Sequence, residues 1–385
     1  MAYNLNQDIL KLFFNYLPQN YYGPIYYLQR FQNDIKNTHF KLYFEIIDEA
    51  DAKFLIQSEL KIQKLKLFIR SRHNFFHDRN QVLKKYVQIK ELIINFMDSD
   101  PSIYLFVDTN EDLNRLQKNL LLSEKMPQLQ KLTLWCLELN SIPNFANLTY
   151  LDCSRCQGFA LLPLTLINLE FLNVTFTSVL GIPNTYVKLK YLDIQHTEIL
   201  SLPNTLTNLK WLNISGCGDL MSLPETYFQL KTLIAYDSNL ICLPDHSIKL
   251  IELETNNNNL IASLSDKYVG LKNISAVGNG IMSNNTFPFI STIENLDISH
   301  SPITKLPKFL TNLKKLRFDY CHLEDIPREC TKLEKIYALG TASIKKIPKE
   351  LINIKYVDCY QKNFQTIKDA FEDKEIINHI IFDVI

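Results

Sequence analysis

Glycine is scarce: the chain has 385 residues and only 9 glycines. Phosphate-cradling loops and hairpin-dense β folds both depend on glycine, so neither is expected. Net charge is missing as well. Lys plus Arg and Asp plus Glu each total 41, which removes any global pull toward nucleic acid or an anionic membrane. No uncharged apolar run reaches the length of a membrane span. The first residues, "MAYNLNQDILKLFFNYLPQNYY", lack a basic n-region and a small-residue cleavage site. The expectation is a soluble, cytoplasmic protein with no membrane partner. In that compartment its 8 cysteines should mostly be thiols. The Asn-x-Ser/Thr sequons at Asn147, Asn173 and Asn213 are then accidental.

A catalytic constellation is also missing. His39, His73, His77, His196, His246, His300, His322 and His379 show no metal-ligand spacing. Cys217, Cys321 and Cys330 have no local nucleophile signature. The expectation is a protein that is not an enzyme, with no catalytic, cofactor-binding or metal residues. Cys153-x-x-Cys156 has the spacing of a zinc or dithiol site and must be weighed against its surroundings.

What the chain does have is a repeat. "LEFLNVTFTSVLGIP" (169–183), "LKYLDIQHTEILSLP" (189–203) and "LKKLRFDYCHLEDIP" (313–327) share L-x-x-L-x-φ followed by an aliphatic-Pro pair. Twelve units begin at Leu129, Leu148, Leu169, Leu189, Leu209, Leu230, Leu250, Leu271, Ile293, Leu313, Leu333 and Ile354, at spacings of 19 to 22 residues. Positions one, four and six alternate as one buried strand face, as in Leu189, Leu192 and Ile194. So short a unit leaves no room for a full return helix. Pro203, Pro307 and Pro327 start an extended or 3-10 segment instead. The apolar residue three after the proline (Leu166, Leu206, Leu310, Leu351) closes the core from the other side. One unit cannot bury its own apolar face, so stability comes from stacking.

This pattern resembles the leucine-rich repeat family in its short Leu-Pro class, over residues 126–367. The resemblance implies an α/β repeat solenoid, a horseshoe with a concave parallel sheet. The ninth position holds Cys156, Thr177, Thr197, Cys217, Ser238, Asn258, Ser301, Cys321 and Thr341. In the family this column is an inward-pointing ladder of asparagine or small polar residues. Leu137 and Lys362 break it at the two ends. In this register Cys153 is a sixth position and Cys156 a ninth, so two buried small residues explain the pair. The seventh and eighth units lack Leu-Pro, and the run Asn256–Asn259 reads there as a solvated turn.

Position three carries Tyr150, Phe171, Tyr191 and Trp211 on successive units, and position five carries Asp152, Asn173, Asp193 and Asn213. Exposed aromatics beside hydrogen-bonding groups have the composition of an interface centre for a protein target. Alternatively they stack on one another as a cross-strand ladder.

Upstream, residues 5–18 form an amphipathic pattern with Leu5, Ile9, Phe13 and Leu17 at four-residue spacing. The stretch "LNQDILKLFFNYLP" resembles the start of an F-box. Leu5, Ile9, Leu10, Phe14, Tyr16, Leu17 and Pro18 match outright, with Asp8 standing for Glu, Phe13 for Ile and Asn6 for Pro. The resemblance covers residues 1–44 as a helical segment and implies a substrate receptor of a cullin–RING ubiquitin ligase. Leu5, Asp8, Ile9, Phe13, Leu17 and Pro18 would dock on a Skp-type adaptor. Read from the residues alone, the segment is a helical cap on the solenoid, and the protein a stand-alone binding scaffold or effector. Residues 45–125 are expected to be a helical linker and N-terminal cap, giving a mainly helical N-terminal region. The run 58–86 reads as helix, "KELIINF" (90–96) and "SIYLFVD" (102–108) as strands. From Lys61 to Lys90 there are nine Lys or Arg and one acid, Asp78. A solvated basic helix face is preferred there over a nucleic-acid surface. Residues 368–385 are expected to close the solenoid.

Overall fold

A computed structural model describes residues 42–46, 62–69, 88–96, 126–135, 139, 141–142, 144–258, 267–278, 289–341, 343–372 and 375–385. The chain divides into two compact units, residues 1–139 with 143–148, and residues 140–142 with 149–385.

The first unit holds four parallel strands in chain order: β1 (Leu42–Ile46), β2 (Ile62–Ile69), β3 (Glu91–Phe96) and β4 (Lys131–Trp135). Their register aligns Phe44, Leu65, Leu92 and Leu132, and two residues on Ile46, Leu67, Ile94 and Leu134. These are repeat positions four and six. Ile62-x-x-Leu65-x-Leu67 and Ile89-x-x-Leu92-x-Ile94 therefore carry the same signature as the regular units. Ile89, Leu92, Leu129, Leu132 and Leu134 are fully buried.

One expectation is corrected here: residues 62–69 are strand, where a helix was expected over 58–86. The physical reason is the alternation Lys64-Leu65-Lys66-Leu67. It has the period of two that places apolar residues on one face of a pleated strand. Among the described residues before 126, the regular structure is entirely strand. The strand expected over 90–96 is present as β3. The segment 102–108 lies outside the described residues.

The second unit is a twelve-strand parallel ladder in chain order. Its members are β5 (Tyr150–Asp152), β6 (Phe171–Asn173), β7 (Tyr191–Asp193), β8 (Trp211–Asn213), β9 (Thr232–Ile234), β10 (Glu252–Glu254), β11 (Asn273–Ser275), β12 (Asn295–Asp297), β13 (Lys315–Arg317), β14 (Lys335–Tyr337), β15 (Tyr356–Cys359) and β16 (Ile381–Val384). From β5 to β14 each strand occupies positions three to five of its unit, and β15 positions three to six, so each unit is one coil of a solenoid. Position four is buried in every coil, from Leu151 through Leu316 to Val357. Each such leucine contributes about 1.5–3 kcal/mol of burial, and only stacking against neighbouring coils supplies it.

The return path is closed by the residue three after the proline. Leu166, Leu206, Leu310 and Leu351 are buried there, Tyr186 and Tyr227 fill the place in two coils, and Tyr268 fills it in a coil that has Ser265 where the proline would stand. Tyr186, Tyr227 and Tyr268 are fully buried, and each hydroxyl donates to the proline carbonyl of the preceding coil: Pro163 at 2.8 Å, Pro203 at 3.1 Å and Pro244 at 2.9 Å. A buried hydroxyl needs such a partner, because an unpaired one is costly.

The ninth-position column behaves as the family resemblance implies. Thr177, Thr197 and Ser238 donate to the position-six carbonyl of their own coil, those of Val174, Ile194 and Ala235. Cys217, Ser301, Cys321 and Thr341 reach back to the position-six carbonyl of the coil before, those of Ile194, Ala276, Ile298 and Phe318. Asn258 is fully buried and donates to Ser238 Oγ at 2.7 Å, as its place in the ninth-position column implies and against the solvated turn expected for the run Asn256–Asn259. Its neighbour Asn257 is exposed.

The ladder ends in a helix, α1 (Gln361–Ala370), which begins inside the range expected for the last repeat and takes Lys362 with it. Its buried residues Asn363, Ile367 and Ala370 share one face. A short 3-10 helix (Ile376–His379) then leads to β16, which pairs in parallel with β15.

Candidate functional site

Position three of the coils faces away from the core. In the second unit it starts with an unbroken pile of rings. Tyr150 stacks on Phe171 at 4.1 Å between centroids, Phe171 on Tyr191 at 4.2 Å, and Tyr191 on Trp211 at 4.0 Å. The planes differ by 10°, 9° and 6°. The parallel register dictates this, because it sets each ring directly beside the next. Such contacts add about 0.5–1.5 kcal/mol each beyond burial. The ring faces cover one another, which is the cross-strand ladder. What remains for solvent is a ridge of ring edges, half-buried along its length. Burial pushes the Tyr191 hydroxyl up to about 12, helped by the neighbouring Asp193 carboxylate.

The position-five column has a structural duty as well. Oδ1 of Asp152, Asn173, Asp193 and Asn213 accepts the backbone N–H two residues on, from Ser154, Thr175, Gln195 and Ser215, at 2.9–3.2 Å. These are local turns of the Asx kind. Asp193 and Asn213 are buried, so only part of the expected polar column is presented. Burial raises the Asp193 carboxyl above its ordinary range, against the lowering effect of the Gln195 N–H.

The turn that follows is a feature the sequence reading passed over. Position eight is left-handed in ten consecutive coils: Arg155, Phe176, His196, Gly216, Asp237, Asn257, Gly278, His300, Tyr320 and Gly340 all have φ between 47° and 68°. Seven of these are not glycine, and each pays about 1–3 kcal/mol of backbone strain. The return is an N–H bond to the next coil. His196 N donates to Ser215 O at 2.8 Å and Tyr320 N to Leu339 O at 2.8 Å. The left-handed turn also throws the side chain sideways over the following coil. Arg155 lies over the Phe176 ring at 4.7 Å, Phe176 stacks on His196 at 4.4 Å, and His196 rests on Gly216. The same build recurs where His300 stacks on Tyr320 at 4.7 Å and Tyr320 rests on Gly340. The signal was legible: this column is rich in Gly, Asn, Asp and His, residues that tolerate the left-handed region.

Farther along the sheet face the chemistry changes. Tyr236 donates to Glu254, Thr232 to Glu252 at 3.3 Å, and burial raises the Glu254 carboxyl. Beyond them Lys315 and Arg317 lie 5.0 and 4.8 Å from the Tyr337 ring centre.

Solved structures share this architecture. A leucine-rich repeat protein of Leptospira interrogans superposes with a TM-score of 0.58 at 18% identity, covering 95% of this chain and 100% of that one. YopM, a leucine-rich effector protein from Yersinia pestis, gives 0.52 at 20% identity over 60% of this chain and 66% of its own. The functional domain of InlJ from Listeria monocytogenes, which includes a cysteine ladder, gives 0.52 at 16% identity over 80% and 74%. The fold is a leucine-rich-repeat solenoid. No family model matches the sequence, and no curated protein matches it.

Cys153 and Cys156 are both fully buried, at the sixth and ninth positions of one coil. Burial holds the Cys153 thiol well above its ordinary value, the reverse of what a metal ligand or nucleophile needs. Among the described residues no group of three or more His, Cys, Asp and Glu could hold a metal ion. Among them, too, no helix is long and apolar enough to cross a membrane. Leu5, Asp8, Ile9, Phe13, Leu17 and Pro18, the expected adaptor contacts, lie outside the described residues. The basic run 61–90 is described at 62–69 and 88–90, and strand β2 replaces its expected helix over 62–69.

Proposed function

We propose that this chain is a non-catalytic binding scaffold, and that a protein target docks across the ring ridge of coils β5 to β8. The observation that carries the reading is the pile Tyr150–Phe171–Tyr191–Trp211. Four large rings are held rigid before any partner arrives, so little side-chain entropy remains to be lost on binding. Their edges, with the Tyr150 and Tyr191 hydroxyls and the outward part of Asp152 and Asn173, combine apolar area with hydrogen-bonding groups.

A finer assignment, a substrate receptor on a Skp-type adaptor of a cullin ubiquitin ligase, rests on the F-box-like residues 5–18 alone. One experiment addresses both. The full chain, Tyr191→Ala, Trp211→Ala and Ile9→Asp are each used for affinity purification with mass spectrometry. The scaffold reading expects a set of proteins retained by wild type and lost from both ring variants. Ring variants that keep every partner would refute the ridge as the docking site. Adaptor and cullin captured by wild type and lost with Ile9→Asp would establish the receptor role, and their absence from the wild-type capture would end it.

A further inference from the structure

The second unit carries an apolar stripe that the solenoid does not require. Three residues before the proline, four successive coils place Leu180, Leu200, Met221 and Ile241, which are 54%, 68%, 56% and 50% exposed. The later coils fill the same position with Thr304, Glu324 and Lys345, and the last two form an ion pair at 2.9 Å. The fold therefore accepts polar side chains there. Four large apolar groups exposed in a row form a contiguous patch, and such patches mark interaction sites.

One backbone bond lies inside the stripe and one joins its first residue to the coil before it. Ile241 N donates to Met221 O at 2.9 Å, and Leu180 N to Ala160 O at 3.1 Å. The strands of these four coils pair in parallel, which sets a coil-to-coil repeat of about 4.8 Å. One turn of an α-helix rises about 5.4 Å. A helix lying along the stripe can set one apolar residue per turn against each successive coil. An extended peptide, with same-side residues about 6.6–6.8 Å apart, loses register at once.

Charge narrows the occupant further. Two residues before the stripe stand Ser178, Glu198, Asp219 and Asn239, with the exposed Glu198 and Asp219 acidic and no lysine or arginine in that column of those coils. No cation among the described residues forms an ion pair with Glu198 or Asp219. The other border, Gly181, Ser201, Ser222 and Cys242, is small and neutral.

We infer that the flank formed by Leu180, Leu200, Met221 and Ile241 is a docking face for a basic amphipathic α-helix of a partner protein. The helix is about four turns long, with one apolar residue per turn and Lys or Arg beside the stripe. The inference rests on the scaffold reading and adds to it a second surface, on the same coils as the ring ridge, with a stated partner chemistry.

The test uses the full chain labelled with a fluorophore at Cys242, which is exposed beside Ile241 while the other described cysteines are buried. The probes are three synthetic 18-residue peptides. One has a leucine stripe at helical spacing flanked by lysines, the second carries glutamates in their place, and the third is the first peptide scrambled. The lysine-flanked peptide is expected to bind at least tenfold tighter than either control and to gain helical circular dichroism on binding. Leu200→Asp and Met221→Asp, at sites too exposed to endanger the fold, should each weaken it at least tenfold. Tyr191→Ala should leave it unchanged within twofold. Equal binding of the scrambled or glutamate peptide, or full binding by the stripe variants, would overturn the inference. So would a dimer in sedimentation that Leu200→Asp dissolves, since the occupant would then be a second copy. Because Tyr191→Ala reads the ring ridge and Leu200→Asp reads the stripe, failure of one surface is distinguishable from failure of the other.

Discussion

Gly216 shows how one residue can be set by its neighbour. Its φ of 68° already favours glycine. A Cβ there would also meet Nδ1 of His196 at 2.3 Å, so the imidazole could no longer rest on the backbone. Gly181 has open space around its Cβ position. Gly216→Ala is expected to destabilise the protein by about 1–2 kcal/mol, whereas Gly181→Ala should change stability by less than about 0.5 kcal/mol. Urea unfolding of the two variants beside wild type checks this. An equal effect at both sites would show that the His196 contact has no energetic weight.

At the scale of the element, what was legible depended on spacing. The regular coils announced themselves through leucines at nearly constant intervals. The strands β2 and β3 obey the same six-residue rule, yet their units are longer and uneven, and lysines fill the gaps. With the period lost, Lys64 and Lys66 read as a basic helix face. The ring column and the buried Leu-Pro returns were legible residue by residue. The use of the position-five side chains was not, because an Asx turn within a coil leaves no trace in spacing. The tyrosine returns offer a clean measurement at this scale. Tyr227→Phe keeps the ring and removes only the bond to Pro203 O, leaving that carbonyl short of a donor. The expected loss is about 0.5–1.5 kcal/mol, while Tyr227→Ala should lose about 3–5 kcal/mol by opening a cavity. Denaturant midpoints of both variants decide it; equal losses would mean that the hydroxyl carries most of the contribution.

At the scale of the molecule, pH pulls stability in two directions. Burial raises the carboxyls of Asp193, Glu254, Asp319 and Asp358 in the fold. Asp358 is an instructive case: its Oδ1 is buried without a hydrogen-bond partner, and Asp383 adds repulsion across the strand pair. A carboxyl raised in the fold supports stability below its unfolded value of about 3.9. That support fades as pH rises through the folded value. The half-buried Glu294 acts oppositely. Lys314 and Lys272 lower it to about 2, so its support exists above the unfolded glutamate value of about 4.3 and is lost as pH falls toward 2. Thermal unfolding followed from pH 2 to 8 should show Asp358→Asn melting above wild type at neutral pH, with the gap closing below about pH 4. Added salt should weaken only the acid limb that Glu294 controls. A gap that persists at pH 3 would assign the gain to packing rather than ionisation.

The ring pile also has an optical consequence. Tyr150 and Tyr191 sit in one stack with Trp211 at its end, at contact distances far shorter than those over which tyrosine excitation passes to tryptophan. Light absorbed along the ridge drains toward one indole. The protein therefore carries a built-in emitter on the surface proposed for target binding, and any occupant that parts the rings will change its colour and yield without a label being added.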